Sequence, residues 1–124
     1  MSCMEPAPTP FNERARLAGV RSLGILDTPP EERFDRITRL ATRLFSTPVA
    51  LLSFVDQDRL WFKSRQNWAF TEASREASFC AHAIAGDDVM VVRDATADIR
   101  FEDNPLVTED PNIRFYAGCA IKSS

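Results

Sequence analysis

The chain has 124 residues, 44% of them hydrophobic, with 15 Lys and Arg against 18 Asp and Glu for a net charge of −3. This fits one small globular domain able to bury about 65% of its unfolded surface, and it excludes a basic grip on nucleic-acid phosphates, which needs clustered Lys and Arg. No run approaches the roughly 18 apolar residues of a membrane span, no basic-then-apolar leader is present, and Cys3, Cys80 and Cys119 are too scattered for a disulfide framework or a four-ligand zinc site. The sequence therefore reads as a reduced, cytoplasmic protein that neither spans a membrane nor binds nucleic acid.

Pro6, Pro8 and Pro10 suit an extended arm over residues 1–11. From Asn12 a helix is predicted, with Leu17, Val20 and Leu23 at helical spacing and Gly24 as its stop. A second helix starts at Thr28-Pro29-Pro30-Glu31, where Thr and Glu form a capping box and Pro29 takes the first helical position. Phe34, Ile37, Ala41 and Leu44, joined by Leu40 and Phe45, line one face while Arg36, Arg39 and Arg43 face away. Ser46-Thr47-Pro48 ends it. Residues 49–55 are apolar on both alternations, which predicts a strand interior to its sheet and covered on both sides.

Asp56-Gln57-Asp58 is a turn, residues 59–65 return as a hairpin partner, and 66–77 read as an irregular connection. A short helix over 78–85 is closed by Gly86, and 89–92 form a third strand. An acidic loop covers 94–107, with one helical turn near Ile99 to Glu102. Across 87–110 the acidic residues Asp87, Asp88, Asp94, Asp98, Glu102, Asp103, Glu109 and Asp110 face only Arg93 and Arg100, which repels a polyanionic partner. Ile113, Phe115, Ala117, Cys119 and Ile121 then alternate with Arg114, Tyr116, Gly118 and Ala120 as a fourth strand. Antiparallel strands with helices on one face make an α+β domain, whose other face is free to shelter a cavity under loops.

Five blocks in order carry a family resemblance. They are Gly24-Ile25-Leu26-Asp27-Thr28-Pro29-Pro30-Glu31 with Phe34-Asp35; Ala50 to Asp56 with Arg59-Leu60-Trp61-Phe62-Lys63-Ser64; Ser78-Phe79-Cys80-Ala81-His82-Ala83-Ile84; Asp94-Ala95-Thr96 with Arg100-Phe101; and Arg114-Phe115-Tyr116-Ala117-Gly118. From about Asn12 to Ile121 the chain resembles a bacterial GAF domain. The resemblance implies an α+β fold built on an antiparallel sheet with helices packed on one face. It also implies a cytoplasmic sensory module over 12–124, set ahead of an output domain such as a diguanylate cyclase, phosphodiesterase or histidine kinase. Such domains bind small molecules, among them cyclic nucleotides and tetrapyrroles, or act as homodimerisation elements. Relatives continue past the Tyr-Ala-Gly block to a further strand beside the first one, so the expectation here is a four-stranded sheet with the 49–55 strand short of one neighbour.

Cys80 and His82, two apart on a helix, point about 200° from each other, which prevents a shared metal or a nucleophile–base pair. Ala81 separates them, unlike the adjacent Cys-His of bilin-attaching relatives. The cyclic-nucleotide pattern of some members is absent, since 101–104 reads Phe-Glu-Asp-Asn. Another branch reduces free methionine sulfoxide through cysteines. Cys80, in the first turn of its helix, is the candidate thiol for that alternative, with Cys119 the second cysteine to consider and Cys3 incidental in the arm. Against it stands the reading of Cys80 and Cys119 as unrelated buried thiols. The ligand-binding candidates are Cys80, Asp94, Arg100, Phe101, Arg114 and Tyr116. The resemblance places the 94–107 loop and the 114–118 strand at the cavity rim, where Arg meets a carboxylate or phosphate and an aromatic ring stacks on a flat one. The competing reading pairs Arg100 and Arg114 with Asp94, Asp98 or Asp103, and makes Trp61 a packing residue. The function expected is ligand binding or dimerisation without catalysis; a thiol redox enzyme and a purely structural dimer are the alternatives.

Overall fold

The computed structural model describes residues 9–10, 12–75, 79–85, 89–109 and 111–121. They fall into two compact units, Asn12–Arg75 and a second one after it. Among the described residues no helix is long and apolar enough to cross a membrane. The arm over 1–11, Cys3, Ser78 and Gly86 lie wholly or largely outside the described residues.

The first unit runs α1 (Glu13–Ser22), α2 (Glu32–Leu44), β1 (Ala50–Val55), β2 (Arg59–Gln66) and β3 (Glu72–Ser74). Its strands form an antiparallel sheet in the order β1-β2-β3. The second unit holds α3 (Phe79–Ala83), β4 (Met90–Val92), a 3-10 turn at Ala95–Ala97, α4 (Pro105–Thr108) and β5 (Tyr116–Gly118), with β4 and β5 paired antiparallel. Helices and antiparallel strands together make the α+β class expected.

Several details differ from the sequence expectations. Instead of one four-stranded sheet, the described residues form a three-stranded and a two-stranded one. The 66–77 connection contains β3, which continues the hairpin by pairing Ser74, Ala73 and Glu72 with Arg59, Leu60 and Trp61. β1, apolar on both alternations like an interior strand, has β2 as its one sheet neighbour among the described residues, in line with the expectation of a strand short of one neighbour. Only Val55 of its six residues is buried. Its two-sided apolarity is the signature of an inner strand, and here one ladder is unmade.

The start of α2 also moves. Pro29 precedes Pro30, and a residue before proline is pushed out of the helical region. The helix therefore begins at Glu32 with Glu31 at its N-cap, and there is no Thr28 capping box. Thr28 instead donates to the carbonyl of Ile25. The predicted apolar face of α2 is only partly used. Phe34 and Ala41 are half-buried and Thr38 is the one buried residue, while Ile37, Leu40, Leu44 and Phe45 are 53–74% exposed. The polar contact of Asp35 and Thr38 with Ser64 sets the rotation of the helix over β2. Ser46, with φ 52°, ends the helix in the left-handed region before Thr47 and Pro48.

In the second unit the core is Phe79, Val92, Ala95, Phe101 and Val107, with Met90, Leu106, Ile113 and Tyr116 packed against it. This selects the Tyr116 face of β5, so Phe115, Ala117, Cys119 and Ile121, expected inside, are exposed. The fourth strand accordingly shortens to Tyr116–Gly118. The single turn expected near Ile99 to Glu102 is present, with Phe101 N and Glu102 N bonding the Asp98 carbonyl at 2.9 and 2.8 Å, between the 3-10 turn and α4. Asn104 caps α4, its side chain accepting from Leu106 N at 2.9 Å, with Pro105 at the first helical position.

Candidate functional site

β1 and β2 do not pair evenly. Leu52 faces Ser64 and Ser53 faces Phe62, so Lys63 is an extra residue in β2. Such a bulge re-aims side chains, and here Lys63 and its neighbour Ser64 both reach toward α2 and the segment that leads into it. The Lys63 side chain is fully covered. Its ammonium donates to Thr28 Oγ1 and to the Pro29 carbonyl at 2.6 Å each, and pairs with Glu31 Oε2 at 2.7 Å. Three N–H bonds meet three acceptors, which is how a buried cation is tolerated. Lys63 holds the Glu31 carboxyl below its ordinary range, with Arg33 adding to the effect. Ser64 Oγ donates to Asp35 Oδ1 at 2.6 Å and lies 2.7 Å from Thr38 Oγ1, which also accepts from Gln66 Nε2 at 3.1 Å. These polar contacts join α2, and the segment that leads into it, to β2.

β3 pairs only with the first three residues of β2. Phe62 N still bonds the Thr71 carbonyl at 3.0 Å. Beyond it the 67–71 loop diverges, with Asn67 in the left-handed region and its amide bonded to the Pro48 carbonyl at 2.6 Å. The space left is a cleft of about 250 Å³ lined by Thr28, Pro30, Asp35, Trp61 to Arg65, Trp68 and Thr71. Trp68 packs edge-on against Phe62 and Phe70, each at 6.4 Å. Arg65 donates to the Trp68 carbonyl at 2.7 Å. The indole N–H of Trp68 is buried and donates to no described atom, an arrangement that costs about 1–3 kcal/mol until an acceptor is supplied.

The predicted site residues lie in the second unit. Phe101 is 1% exposed, stacks on Phe79 at 4.2 Å and meets the His82 ring edge-on at 4.8 Å. Tyr116 lies 5.1 Å from Phe79, and its hydroxyl donates to Cys80 Sγ at 3.4 Å. Burial, then the Cys80 thiol, raises the Tyr116 phenol far above its ordinary range. These side chains thus come together, but as packed rings. Arg100 donates to Asp98 through Nε at 3.0 Å and Nη2 at 2.7 Å, and holds that carboxyl below its usual range. Asp94 caps the 3-10 turn, accepting from the Thr96 hydroxyl and N–H, which lower its pKa, with Arg114 adding a weaker pull. Arg114 itself donates to the Val107 carbonyl at 2.9 Å, latching α4 to the strand, and makes no ion pair with an acidic residue among those described. Cys80 is half-buried and Cys119 exposed, so the reading of two buried thiols does not hold. Trp61, 7% exposed and 6.4 Å from Phe54, is a packing residue.

Sequence reasoning missed Lys63 and Trp68. A lysine inside the apolar run Trp61-Phe62-Lys63 was the available signal, but the bulge that turns it toward Thr28 is a property of pairing, not of composition. Comparison with known proteins bears on the blocks that hold these residues. The GAF domain family matches residues 29–124. A cyclic di-GMP phosphodiesterase of Pseudomonas aeruginosa is 43% identical over 121 residues, covering 98% of this chain and 21% of that protein. The chain thus spans about a fifth of the relative's length, and with the family match over most of its residues it belongs to the GAF domain family.

Proposed function

We propose that this chain is a regulatory GAF module of a bacterial signalling protein, without catalysis of its own, and that it responds to a small molecule held in the cleft between Thr28 and Trp68. The observation that carries the reading is a preformed cleft whose lining includes Trp68, a residue whose buried indole N–H donates to no described atom. The Lys63 ammonium is spent on holding the wall and has no proton to offer a ligand. The chemistry facing the cleft is the Thr71 hydroxyl, the Asp35 carboxylate beyond its bond from Ser64 and the Arg65 guanidinium beyond its bond to the Trp68 carbonyl, set against the rings of Trp61, Phe62 and Trp68. That combination suits a flat, neutral or zwitterionic molecule with at least one acceptor. The volume lies below the ~300–1,000 Å³ usual for drug-sized ligands, which favours a single-ring or purine-sized compound. The relative's name supports an output concerned with cyclic di-GMP turnover in the same polypeptide, the partner class that the resemblance implies.

A second reading keeps Cys80 and Tyr116 as ligand contacts, on the observation of their 3.4 Å contact at a half-buried thiol. Asp94, Arg100, Phe101 and Arg114 then act as its supporting wall. The two readings separate in a thermal-shift panel of purines, pyrimidines, nicotinamide-type rings and cyclic di-GMP. A compound that stabilises the native chain and loses its effect in Trp68→Phe supports the cleft. One that loses it only in Cys80→Ser supports the second site. Silence across the panel, with a dimer in sedimentation, favours a purely structural homodimerisation role.

A further inference from the structure

α1 is the one helix of the described residues with no buried residue, and Leu17 and Val20 are only half-covered while Leu23 beside them is 58% exposed. Asn12 makes no side-chain cap, and Gly19 sits in the helix interior. A ten-residue helix of this kind is marginal by itself, since isolated helices below about 12–15 residues rarely persist in water. Its docking runs through charge. Arg75, just past β3, donates to Glu13 Oε1 at 2.6 Å and Oε2 at 3.2 Å, while Arg16 donates to the same carboxylate at 2.7 and 2.8 Å. Arg16 also reaches the Val55 carbonyl at the end of β1 at 2.5 Å. Arg75 bonds the Asp56 and Gln57 carbonyls at 3.1 and 3.2 Å, and Arg21 reaches the Gln57 side chain at 3.3 Å.

We infer that α1 is an ionically latched strap, pinned to the β1–β2 turn by the Glu13 carboxylate between Arg16 and Arg75, and that it detaches as a unit while β1, β2 and α2 stay folded. Removing Glu13 leaves two guanidiniums facing each other beside the Val55, Asp56 and Gln57 carbonyls, and the half-covered Leu17 and Val20 supply only a small apolar hold. Regions that move in regulation come from the low-stability end of a structure. An N-terminal helix held by few, exchangeable polar contacts can transmit a shift of the β1–β2 turn to whatever precedes it. The latch side chains keep 16–21% of their surface exposed, so salt weakens them through that exposed part, less than it weakens a surface pair, as screening shortens from about 10 Å at 0.1 M to about 3 Å at 1 M.

Hydrogen exchange on the whole chain tests this. In the native protein, α1 amides should exchange at least tenfold faster than those of β2, and raising sodium chloride from 0.05 to 1 M should speed α1 severalfold while leaving β2 unchanged. Glu13→Gln should speed α1 a further tenfold and abolish the salt response, and Arg75→Gln should do the same. Leu17→Ala, which removes the half-buried apolar contact, should have the smaller effect. Equal protection of α1 and β2, an α1 rate unmoved by Glu13→Gln, a larger effect from Leu17→Ala, or loss of β2 protection along with α1 in both charge variants would each overturn the strap.

Discussion

In the 12–75 unit the seam between helix and sheet is made by Thr38, Ser64, Asp35 and Lys63. In the 79–121 region it is made by Phe79, Phe101, Val92 and Tyr116. One seam is directional and charged, and it loses strength if any partner is removed. The other is apolar and tolerates rearrangement as long as volume is kept. The difference teaches where each part can act. A polar seam at the mouth of a cleft leaves donors and acceptors near a ligand, whereas packed rings leave none. It also explains why the residues most suggestive of binding by type, Phe101 and Arg100, are occupied with structure, while a bulged lysine and an unpaired indole border the open space.

The largest expected effect is on the aromatic side. Phe101→Ala should cost about 3–5 kcal/mol in urea unfolding, from lost transfer free energy and the cavity left beside Phe79. A cost near 1 kcal/mol would mean that this core is loosely packed and that the contrast is wrong. Gly118 belongs to the same side. A Cβ there would sit 2.0 Å from the Tyr116 hydroxyl, and that ring is held against Phe79, so Gly118→Ala should destabilise by about 1–3 kcal/mol through overpacking. On the polar side, Lys63→Met should cost about 1–3 kcal/mol, because the Pro29 carbonyl loses a charged donor. It should also abolish any ligand response of the cleft. A stability gain, known for some buried ions replaced by apolar groups, would show that the clamp serves position and not stability.

Acid should weaken both regions, through Glu13 in the first and through Asp94 and Asp98 in the second. Glu13, lowered from 4.5 to about 2 chiefly by its hydrogen bonds to Arg16 and then Arg75, stabilises the docked helix fully above its unfolded value. That contribution fades as pH falls from 4.5 through about 2. The other charged groups facing this latch are Arg21, Asp56 and Arg59, with Asp56 also lowered, so far-ultraviolet circular dichroism should report a loss of helix over this range that Glu13→Gln makes smaller. Ser46→Gly should give the smallest change, a gain of about 1 kcal/mol or less, by relieving the left-handed backbone at the end of α2.

Much of this was legible in the sequence, in a way that follows physical range. The helix over 13–22 with Gly24 beyond it, the hairpin of β1 and β2, and the family blocks rest on local propensity and spacing, and they stand in the structure. What was not legible depends on pairing. The Lys63 bulge, the short β3, the rotation of α2 onto Thr38 and the outward face of Phe115 and Ala117 are set by neighbours distant in the chain. A capping box at Thr28 looked sound locally. It gave way to Pro30 on one side and to the Lys63 ammonium on the other. The unpaired Trp68 donor has no sequence signature at all.

Crystallographic soaking of the chain with a library of single-ring and purine fragments tests the ligand cleft most directly. Density lying against Trp68, with an acceptor within hydrogen-bond reach of its indole nitrogen and bounded by Thr28 and Thr71, is the expected result. Fragments that gather only beside Cys80 and Tyr116, or that leave the cleft empty while the indole stays unpaired, would contradict it.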